Sequence, residues 1–375
     1  MIHNVLVSGG GVAGLALAHW LTRAGMDVTV VERTPAFRRG GQAIDIRGVA
    51  LDVVRAMGIL DRARELRTRN EGMSMLDAQG VERERITDRT FSSGRLDSDD
   101  IELFRDDLCE LLIGTLGERA TLVYDDGIRA IVDTGDGVNV VFENGARSRF
   151  DLVIGTDGVY SKTRRLLFDD EAAVVNAMGV VLALFTTPNV IGLERWELMY
   201  RADGIGYVVY PSRDQTTLRV SVGFGSEGRE VGRNDVAAQK AMVASACAGL
   251  GGHMPAFLQA MATAHEFYYN ELAQIRMPQW SKGRVALAGD AAHCASPFSG
   301  QGTSLALVGA FVLARELARD GDHVRAFEAY EERMRPYVRM NQDMVDPMRK
   351  GPIPDEVMTR AKQGIDLSDL LREIA

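Results

Sequence analysis

Near the start of the chain, the apolar residues change twice between the spacing of a strand and that of a helix. The β-branched run Asn4–Ser8 predicts a buried strand, and the apolar positions of Val12–Arg23 recur at helical spacing up to Gly25. The run Asp27–Glu32 predicts a second strand. Strand, helix and strand in this order form a βαβ unit, which predicts the start of a doubly wound parallel sheet.

Further segments of both types follow. Residues 36–48 are basic and contain glycine, which predicts a loop, while residues 49–67 and 102–116 have helical spacing. Strands are predicted at 120–124, 127–133, 137–143, 151–155 and 284–288, with a turn at Asn144-Gly145, and a helix is predicted at 303–319.

Between residues 178 and 224, extended runs alternate with Pro, Gly and Asp, which is typical of an antiparallel meander. The predicted fold class is therefore α/β, with a Rossmann-like doubly wound domain, an inserted and mostly antiparallel β-sheet domain, and C-terminal helices. The predicted doubly wound domain comprises residues 1–70, 100–175 and 275–322, the inserted domain comprises 71–99 and 176–274, and the C-terminal helices occupy 323–375.

Composition narrows the class of protein. The 375 residues carry a formal charge of −9, and no basic face stands out, which argues against a nucleic-acid partner. Cys109, Cys247 and Cys294 are far apart and lack CxxC spacing, so neither a disulfide framework nor a zinc site is indicated. No signal peptide and no apolar run long enough to span a membrane is evident, which predicts a cytoplasmic protein.

A glycine-rich motif joins the first strand to the first helix. Gly9, Gly11 and Gly14 form G-x-G-x-x-G in the strand-to-helix context that makes this pattern specific for a dinucleotide. The helix N-terminus offers unpaired N–H groups to a pyrophosphate. Glu32 ends the second strand, where a carboxylate can bind ribose hydroxyls and would repel the 2′-phosphate of NADP. The motif alone does not separate FAD from NAD.

Two more segments follow predicted strands. The first, residues 151–164, contains Asp157-Gly158 and a candidate helix cap at Ser161. The second, residues 289–302 (GDAAHCASPFSGQG), places Asp290 and His293 three residues apart among small residues. That spacing could mark an acid–base pair, half of a metal site, or a backbone that holds a ligand. No further metal ligand is evident nearby, which favours the third interpretation and leaves His293 as a neighbour of the site.

With these three motifs in this order, the chain resembles the class A, single-component flavin monooxygenases, which include para-hydroxybenzoate hydroxylase and the tetracycline-inactivating monooxygenases. The resemblance extends from Val5 to about Leu317. It implies bound FAD as cofactor, with NADPH or NADH as co-substrate. The cofactor-binding residues that it implies, together with the glycine motif, are Gly9, Gly11, Val12, Ala13, Gly14, Glu32, Arg33, Arg38, Gln42, Asp45, Arg47, Arg105, Asp157, Gly289, Asp290, Pro297, Gly300, Gln301 and Gly302. Among them, Arg38 or Arg47 is the candidate contact for the phosphates of the nicotinamide cofactor.

The resemblance also implies the chemistry. Reduced FAD would react with O2 to a C4a-hydroperoxide and hydroxylate, or oxidise in the Baeyer–Villiger manner, an aromatic or polycyclic small molecule. No catalytic side chain and no metal is then required, because the cofactor carries the reaction. Alternating strand positions of the inserted sheet would line the substrate cavity, and the candidates are Trp196, Met199, Tyr207, Tyr210, Arg219 and Phe224.

Other functions stay open at this point. A flavin-dependent oxidase or reductase would carry the same motifs without transferring oxygen, and a cyclase or binding protein could hold FAD for structure alone. A halogenase of the same fold is disfavoured because neither a W-x-W-x-I-P segment nor its catalytic lysine is evident.

Overall fold

The computed structural model describes residues 2–37, 40–92, 94–168, 174–202, 204–226, 228, 231–232, 234–346, 349 and 353–374. Within them the strands are β1 (Asn4–Ser8), β2 (Asp27–Glu32), β3 (Ala43–Ile46), β4 (Met73–Leu76), β5 (Glu82–Ile86), β6 (Arg89–Thr90), β7 (Gly94–Arg95), β8 (Ile101–Phe104), β9 (Ala120–Tyr124), β10 (Ile128–Asp133), β11 (Val138–Phe142), β12 (Arg147–Phe150), β13 (Leu152–Gly155), β14 (Val174–Pro188), β15 (Glu197–Ala202), β16 (Ile205–Pro211), β17 (Thr217–Gly225), β18 (Phe267–Arg276), β19 (Ser281–Lys282) and β20 (Val285–Leu287).

The α-helices are α1 (Val12–Arg23), α2 (Ala50–Ala56), α3 (Leu60–Glu65), α4 (Arg105–Gly114), α5 (Lys162–Leu167), α6 (Val236–Ala246), α7 (Met254–Thr263), α8 (Asp290–His293), α9 (Gly302–Arg319), α10 (His323–Asp343), α11 (Asp355–Lys362) and α12 (Ser368–Arg372). A short 3-10 helix covers Pro297–Ser299.

The first sheet has the order β19-β20-β13-β1-β2-β9, and its strands from β20 to β9 run parallel. Helices α1 and α9 pack together on one face of it, where Trp20 and Phe311 meet with ring centroids 4.9 Å apart. The three-stranded sheet β10-β11-β12 covers the other face. The parallel sheet is thus covered on both faces, which explains its continuous apolar strands.

The second large sheet has the order β18-β14-β17-β16-β15-β4-β5 and is antiparallel except for the β15–β4 pair. Helices α6 and α7 pack on one face, around Phe257 and Met261. The other face meets the two-stranded ribbon β3–β8 through Phe104. This arrangement confirms the predicted α/β fold class with its antiparallel sheet and C-terminal helices; the residue bounds of the domains stay a prediction.

Several predicted elements are corrected. The helix predicted at 49–67 is divided into α2 and α3, because Gly58 lies between them with a φ of +77°. The helix predicted at 102–116 begins only at Arg105, since residues 101–104 form a strand paired with β3. That strand β3 in turn lies inside the predicted loop 36–48. None of the described helices has the length and apolar character that a membrane crossing requires.

Candidate functional site

The three motifs meet at one edge of the parallel sheet. Strands β20, β13 and β1 are neighbours and run in the same direction, so their carboxyl ends lie side by side. The segments that begin at Gly9, Thr156 and Ala288 follow these ends directly. In open α/β sheets, ligands bind at the carboxyl ends of the strands. The structure therefore brings together the motifs that are far apart in sequence.

The three glycines of the first motif are required for different geometric reasons. Gly9 has a φ of +114°, and a Cβ there would lie 2.7 Å from the carbonyl oxygen of Thr156. A Cβ at Gly14 would lie 1.9 Å from the carbonyl oxygen of Gly9, so this glycine permits close contact of α1 with the turn. Gly11 is different, because a Cβ there would meet no described atom within 4 Å. The open side of Gly11 is where a pyrophosphate can approach the backbone and the N-terminus of α1.

Glu32 lies beside this turn. Its carboxylate accepts the backbone N–H of Gly10 at 2.9 Å and that of Thr34 at 3.0 Å, which holds it at the carboxyl end of β2. The side chain is half-buried, so it remains accessible to a ribose. Val12 and Ala13 form the first turn of α1, and Arg33 is exposed just past β2. The predicted contact of Arg38 lies outside the described residues.

Asp157 organises the second motif. Its carboxylate accepts hydrogen bonds from the backbone N–H groups of Lys162 (2.8 Å) and Thr163 (2.9 Å) and from the hydroxyl of Ser161. Ser161 also caps α5 by accepting the N–H of Arg164 at 2.9 Å. The carboxylate therefore holds the turn together, and its predicted contact with a cofactor stays a prediction.

Two residues outside the predicted site list connect the motifs. The hydroxyl of Thr156 donates to the carbonyl oxygens of Ser8 and Gly9, at 2.9 and 3.0 Å. The buried guanidinium of Arg164 donates to the carbonyl oxygen of Ala291 at 2.8 Å and thus joins the second motif to the third. The sequence shows only that basic residues lie at the start of α5. That the side chain of Arg164 points inward follows from the fold alone.

Asp290 is an exposed residue at the start of α8. Its side chain is accessible to solvent, yet desolvation raises its pKa, an effect opposed by the thiol of Cys294. Tyr268 on β18 behaves in the same way, since 44% of it is exposed while desolvation raises its pKa to about 12, with Asp290 contributing. A group that is both accessible and desolvated lines a cleft. Asp290 can therefore accept hydrogen bonds from a ligand that enters this cleft.

His293 takes no part in the cleft. It is buried, its Nε2 lies 3.2 Å from the hydroxyl of Tyr330, and its ring contacts Trp280. Burial lowers its pKa to about 4, so the ring is neutral near neutral pH. Within the part of the chain that the structure describes, no group of His, Cys, Asp and Glu could hold a metal. His293 is therefore held in the core, apart from the exposed Asp290, and the interpretation of this motif as a backbone that holds a ligand stays a prediction.

The backbone from Pro297 to Gly302 forms the end of the third motif. Gly289 and Gly300 have φ values of +61°, and the N-terminus of α9 has no side-chain cap at Gln301. Its first N–H groups are thus available to an anion or an electron-rich ring edge. Gln301 is buried, and its Oε1 accepts no hydrogen bond from the described residues.

Asp45 and Arg47 form a buried ion pair next to this backbone. Nη2 of Arg47 lies 2.8 Å from Oδ2 of Asp45, and a Cβ at Gly300 would lie 3.7 Å from the guanidinium. Burial raises the pKa of Asp45 to about 6 against the opposing effect of Arg47. Oδ1 of Asp45 accepts no hydrogen bond from the described residues. This burial does not support the predicted phosphate contact of Arg47.

The predicted FAD fits these residues. The open Gly11, the carboxylates of Glu32 and Asp290, the free N–H groups of α9 and the buried acceptors on Asp45 and Gln301 form a donor and acceptor set for a dinucleotide with a polar ring. Arg105 and Gln42 adjoin this set, since the N–H of Arg105 donates to the carbonyl oxygen of Gln42 at 3.0 Å.

The predicted substrate-lining residues divide between two faces of the sheet. Met199 and Tyr210 lie on the face toward β3–β8, together with Phe104. Arg219 lies there too, with its guanidinium 5.3 Å from the centre of the Phe104 ring and Nε donating to the carbonyl oxygen of Gly41 at 3.3 Å. This face packs against the ribbon β3–β8, which is followed by Arg47 beside Gly300 of the third motif, and it is called the inner face below.

Three predicted lining residues are corrected. Tyr207 and Phe224 are buried in the core beneath α6 and α7, on the opposite face from Tyr210 and Arg219. Trp196 lies immediately before β15, and its Nε1 donates at 2.8 Å to Ser74, which alternates on β4 with the inner-face residue Met75. Strand side chains alternate, so positions three or five apart on one strand cannot share a face. These residues stabilise the sheet and do not line the inner face.

Sequence reasoning missed two buried acids. Glu102 on β8 and Glu197 on β15 are 4% and 0% exposed. Burial raises the pKa of Glu197 to about 7 and that of Glu102 well above its ordinary value, with Glu197 adding to the effect on Glu102. Each is a single acid between apolar neighbours, Ile101 and Leu103 or Trp196 and Leu198, without a recognisable motif, and only the packing of β8 against β15 brings them together.

We expect these acids to make stability fall with rising pH. A carboxyl group whose pKa is raised to about 7 by folding stabilises the fold fully below its unfolded value of 4.5, and this contribution is lost as pH rises toward 7. Relative to Glu197→Gln, the wild type should lose about 2 kcal/mol of unfolding free energy across this window. Denaturant unfolding at both ends of the window tests this, and parallel curves for the two proteins would contradict it.

Comparison with known proteins shows the family of the chain. The model of the FAD binding domain family matches residues 3–344. The chain is 44% identical over 369 residues to the uncharacterized protein Rv1260 of Mycobacterium tuberculosis (strain ATCC 25618 / H37Rv), covering 98% of this chain and 99% of that protein. It is 35% identical over 340 residues to a flavin-dependent monooxygenase of Legionella longbeachae serogroup 1 (strain NSW150), covering 90% and 87%. The crystal structure of the tetracycline destructase Tet(55) superposes with a TM-score of 0.87 at 34% identity, covering 97% of each chain.

Proposed function

The chain belongs to the FAD-dependent monooxygenases, and from this premise we propose that it uses NAD(P)H and O2 to oxidise an aromatic or polycyclic small molecule on the inner face of its antiparallel sheet. Membership makes it an FAD-binding enzyme with a small-molecule substrate and O2. The one observation that carries the proposal is the meeting of three cofactor motifs at one sheet edge, with the ribbon β3–β8 between the third motif and an apolar sheet face.

The inner face supports an aromatic substrate. Met199, Tyr210 and Phe104 form a buried apolar layer, and the ring centroids of Phe104 and Tyr210 are 6.3 Å apart. Arg219 adds a cation at its border, where it donates to Thr186 at 2.9 Å and lies 3.9 Å from Glu266. Rings with electron-rich oxygen substituents suit such a surface, because they combine apolar area with acceptors for the guanidinium. The flat fused rings of the tetracyclines, which Tet(55) is named for, would be one example of this class.

Residues of the chain prepare the site for oxygen transfer. When bound, reduced FAD supplies the activation of O2. The glycine turn and Glu32 would hold its adenosine half, Asp290 its sugar-alcohol chain, and the N–H groups of α9 would favour negative charge on the ring. The packed inner face would exclude water from the reacting oxygen.

The proposal is tested with the purified protein. Its visible spectrum is recorded, and oxidation of NADPH and NADH under air is followed with a panel of phenols and polycyclic polyketides. Product labelled from 18-O dioxygen is the expected result. Substrate-stimulated NAD(P)H oxidation without label in the product would favour an oxidase or reductase instead, and failure to consume NAD(P)H would favour a structural role of FAD.

We expect Arg219 to set substrate affinity. Arg219→Met removes the guanidinium but keeps the apolar stem, so KM for an oxygen-substituted substrate should rise about tenfold or more, because a charged hydrogen bond contributes about 1.5–3 kcal/mol. Tyr207→Phe changes a hydroxyl on the opposite face and is the matched control. Equal effects of the two substitutions on KM would contradict the assignment of the inner face.

A further inference from the structure

Three buried carboxyl groups, here named the carboxyl cluster, lie between the flavin site and the antiparallel sheet: Asp45, Glu102 and Glu197. Asp45 and Glu102 are directly opposite each other on the ribbon β3–β8. Glu197 is two residues before Met199 on β15 and thus points to the inner face. Neither Glu102 nor Glu197 is used by the proposed binding of FAD or substrate.

Hydroxyl groups connect the cluster. The hydroxyl of Ser92 donates to Glu197 and also stabilises the ionised form of Glu102 by a hydrogen bond. The hydroxyl of Thr68 donates to Glu102, while Asn70 Nδ2 donates to Glu197 at 3.2 Å. The backbone N–H of Phe91 donates to Glu197 at 2.9 Å. Ser92 therefore stands between the two glutamate side chains.

The described surroundings hold fewer cations than carboxylates. Arg47, directly after β3, pairs with Asp45 and also interacts electrostatically with Glu102. Asp100, which faces Asp45 and Arg47 from the segment before β8, is paired with Lys362 of α11 at 2.9 Å. The phenol of Tyr210 faces both glutamates from β16. Buried carboxylates that share one cation do not all ionise together, so the cluster retains a proton near neutral pH.

The cluster reaches the flavin-binding residues through Asp45. Arg47, the ion-pair partner of Asp45, adjoins Gly300. Oδ1 of Asp45 is buried and accepts no hydrogen bond from the described residues. The overall oxygenation is R–H + O2 + NAD(P)H + H⁺ → R–OH + NAD(P)⁺ + H2O. One proton per turnover must therefore enter a site whose packed face keeps water out.

We propose that Glu102 and Glu197 share a proton through Ser92 and form a store that supplies, by way of Asp45, the proton consumed in oxygen transfer. In this step a carboxylic O–H bond breaks and leaves its electron pair on the carboxylate. The proton forms an O–H bond with the oxygen atom of O2 that leaves as water, and solvent refills the store between turnovers. The inference adds a proton source to the proposed function and depends on it for the final acceptor.

The retained proton is measured without any turnover. Infrared spectra of the FAD-free and FAD-loaded protein at about pH 7 should contain the C=O band of a protonated carboxyl group, with its small downshift in D2O. Glu197→Gln or Glu102→Gln should remove or shift this band, whereas Glu84→Gln, at an exposed position on β5, should leave it unchanged. Ser92→Ala keeps both acids and should shift the band. A wild-type spectrum without the band, or one that none of these substitutions changes, would overturn the store.

Single-turnover kinetics test delivery of the proton. With FAD bound, Glu197→Gln should leave flavin reduction by NAD(P)H unchanged and slow product formation about 100-fold, the scale of general acid catalysis, with partial recovery in Glu197→Asp. Unchanged product formation would overturn delivery. If no substrate of the panel is oxygenated by the wild type, the proposed function fails, while the infrared band still decides whether the shared proton exists.

Discussion

Gly11→Val is expected to abolish tight FAD binding while leaving the FAD-free fold as stable as the wild type. Gly11 has a φ of −83°, which any residue adopts, and a Cβ there meets no described atom within 4 Å. The added side chain instead fills the space in front of the N-terminus of α1, where the pyrophosphate approaches. A rise of the Kd for FAD of at least about 100-fold, or about 2.7 kcal/mol, is expected.

Gly14→Ala provides the opposite case. Its Cβ would lie 1.9 Å from the carbonyl oxygen of Gly9, so α1 must move away from the turn. Destabilisation by about 2 kcal/mol or more of the FAD-free protein is expected, together with weaker binding. Gly117→Ala, in an exposed loop with open space around it, is the control for both. Thermal unfolding and FAD titration of the variants separate the two effects, and undiminished FAD affinity in Gly11→Val would refute the assigned pyrophosphate position.

Asp290→Ala is expected to weaken FAD binding by about 10- to 100-fold. The carboxylate is accessible in the cleft and can accept hydroxyl donors of the sugar-alcohol chain, and a hydrogen bond to a charged group contributes about 1.5–3 kcal/mol. Desolvation already raises the pKa of this group, so the FAD-free protein should become slightly more stable above neutral pH when the charge is removed.

The matched control is Asp136→Ala, which removes an exposed carboxylate that is paired with Arg149 at the surface. FAD titration and denaturant unfolding of the FAD-free proteins are the two measurements. If Asp290→Ala bound FAD as tightly as the control, Asp290 would be no ligand of the cofactor, and its position in the cleft would need another explanation.

The sequence favours a ligand-holding backbone at the third motif for a local reason, and this interpretation stays a prediction. Small residues around Asp290 leave room for a ligand against the backbone, and the absence of further metal ligands nearby disfavoured a metal site. The position of His293 depends on packing, because contact with Tyr330 and Trp280 buries it. The hydrogen bond from Arg164 to the carbonyl oxygen of Ala291 joins segments 127 residues apart. Neither segment has a sequence pattern that predicts this contact.

The alternation of side chains along β16 and β17 already shows that the predicted substrate-lining residues cannot all share one face. Tyr207 and Tyr210 are three residues apart on β16, and Arg219 and Phe224 are five apart on β17, so alternation alone separates them onto two faces. Which face borders the flavin site was not deducible in this way. That depends on α6 and α7 covering one face and on the ribbon β3–β8 covering the other.

The sequence by itself determined the βαβ start, the three cofactor motifs and the membership that they imply. These features are local, since a glycine with positive φ or a helix N-terminus after a strand is specified by a few adjacent residues. Tertiary structure alone decided which face of the antiparallel sheet meets the ribbon β3–β8 and which acids are buried. Desolvation by burial is the main cause of the raised pKa of both Glu102 and Glu197, and burial results from the packing of segments that are distant along the chain.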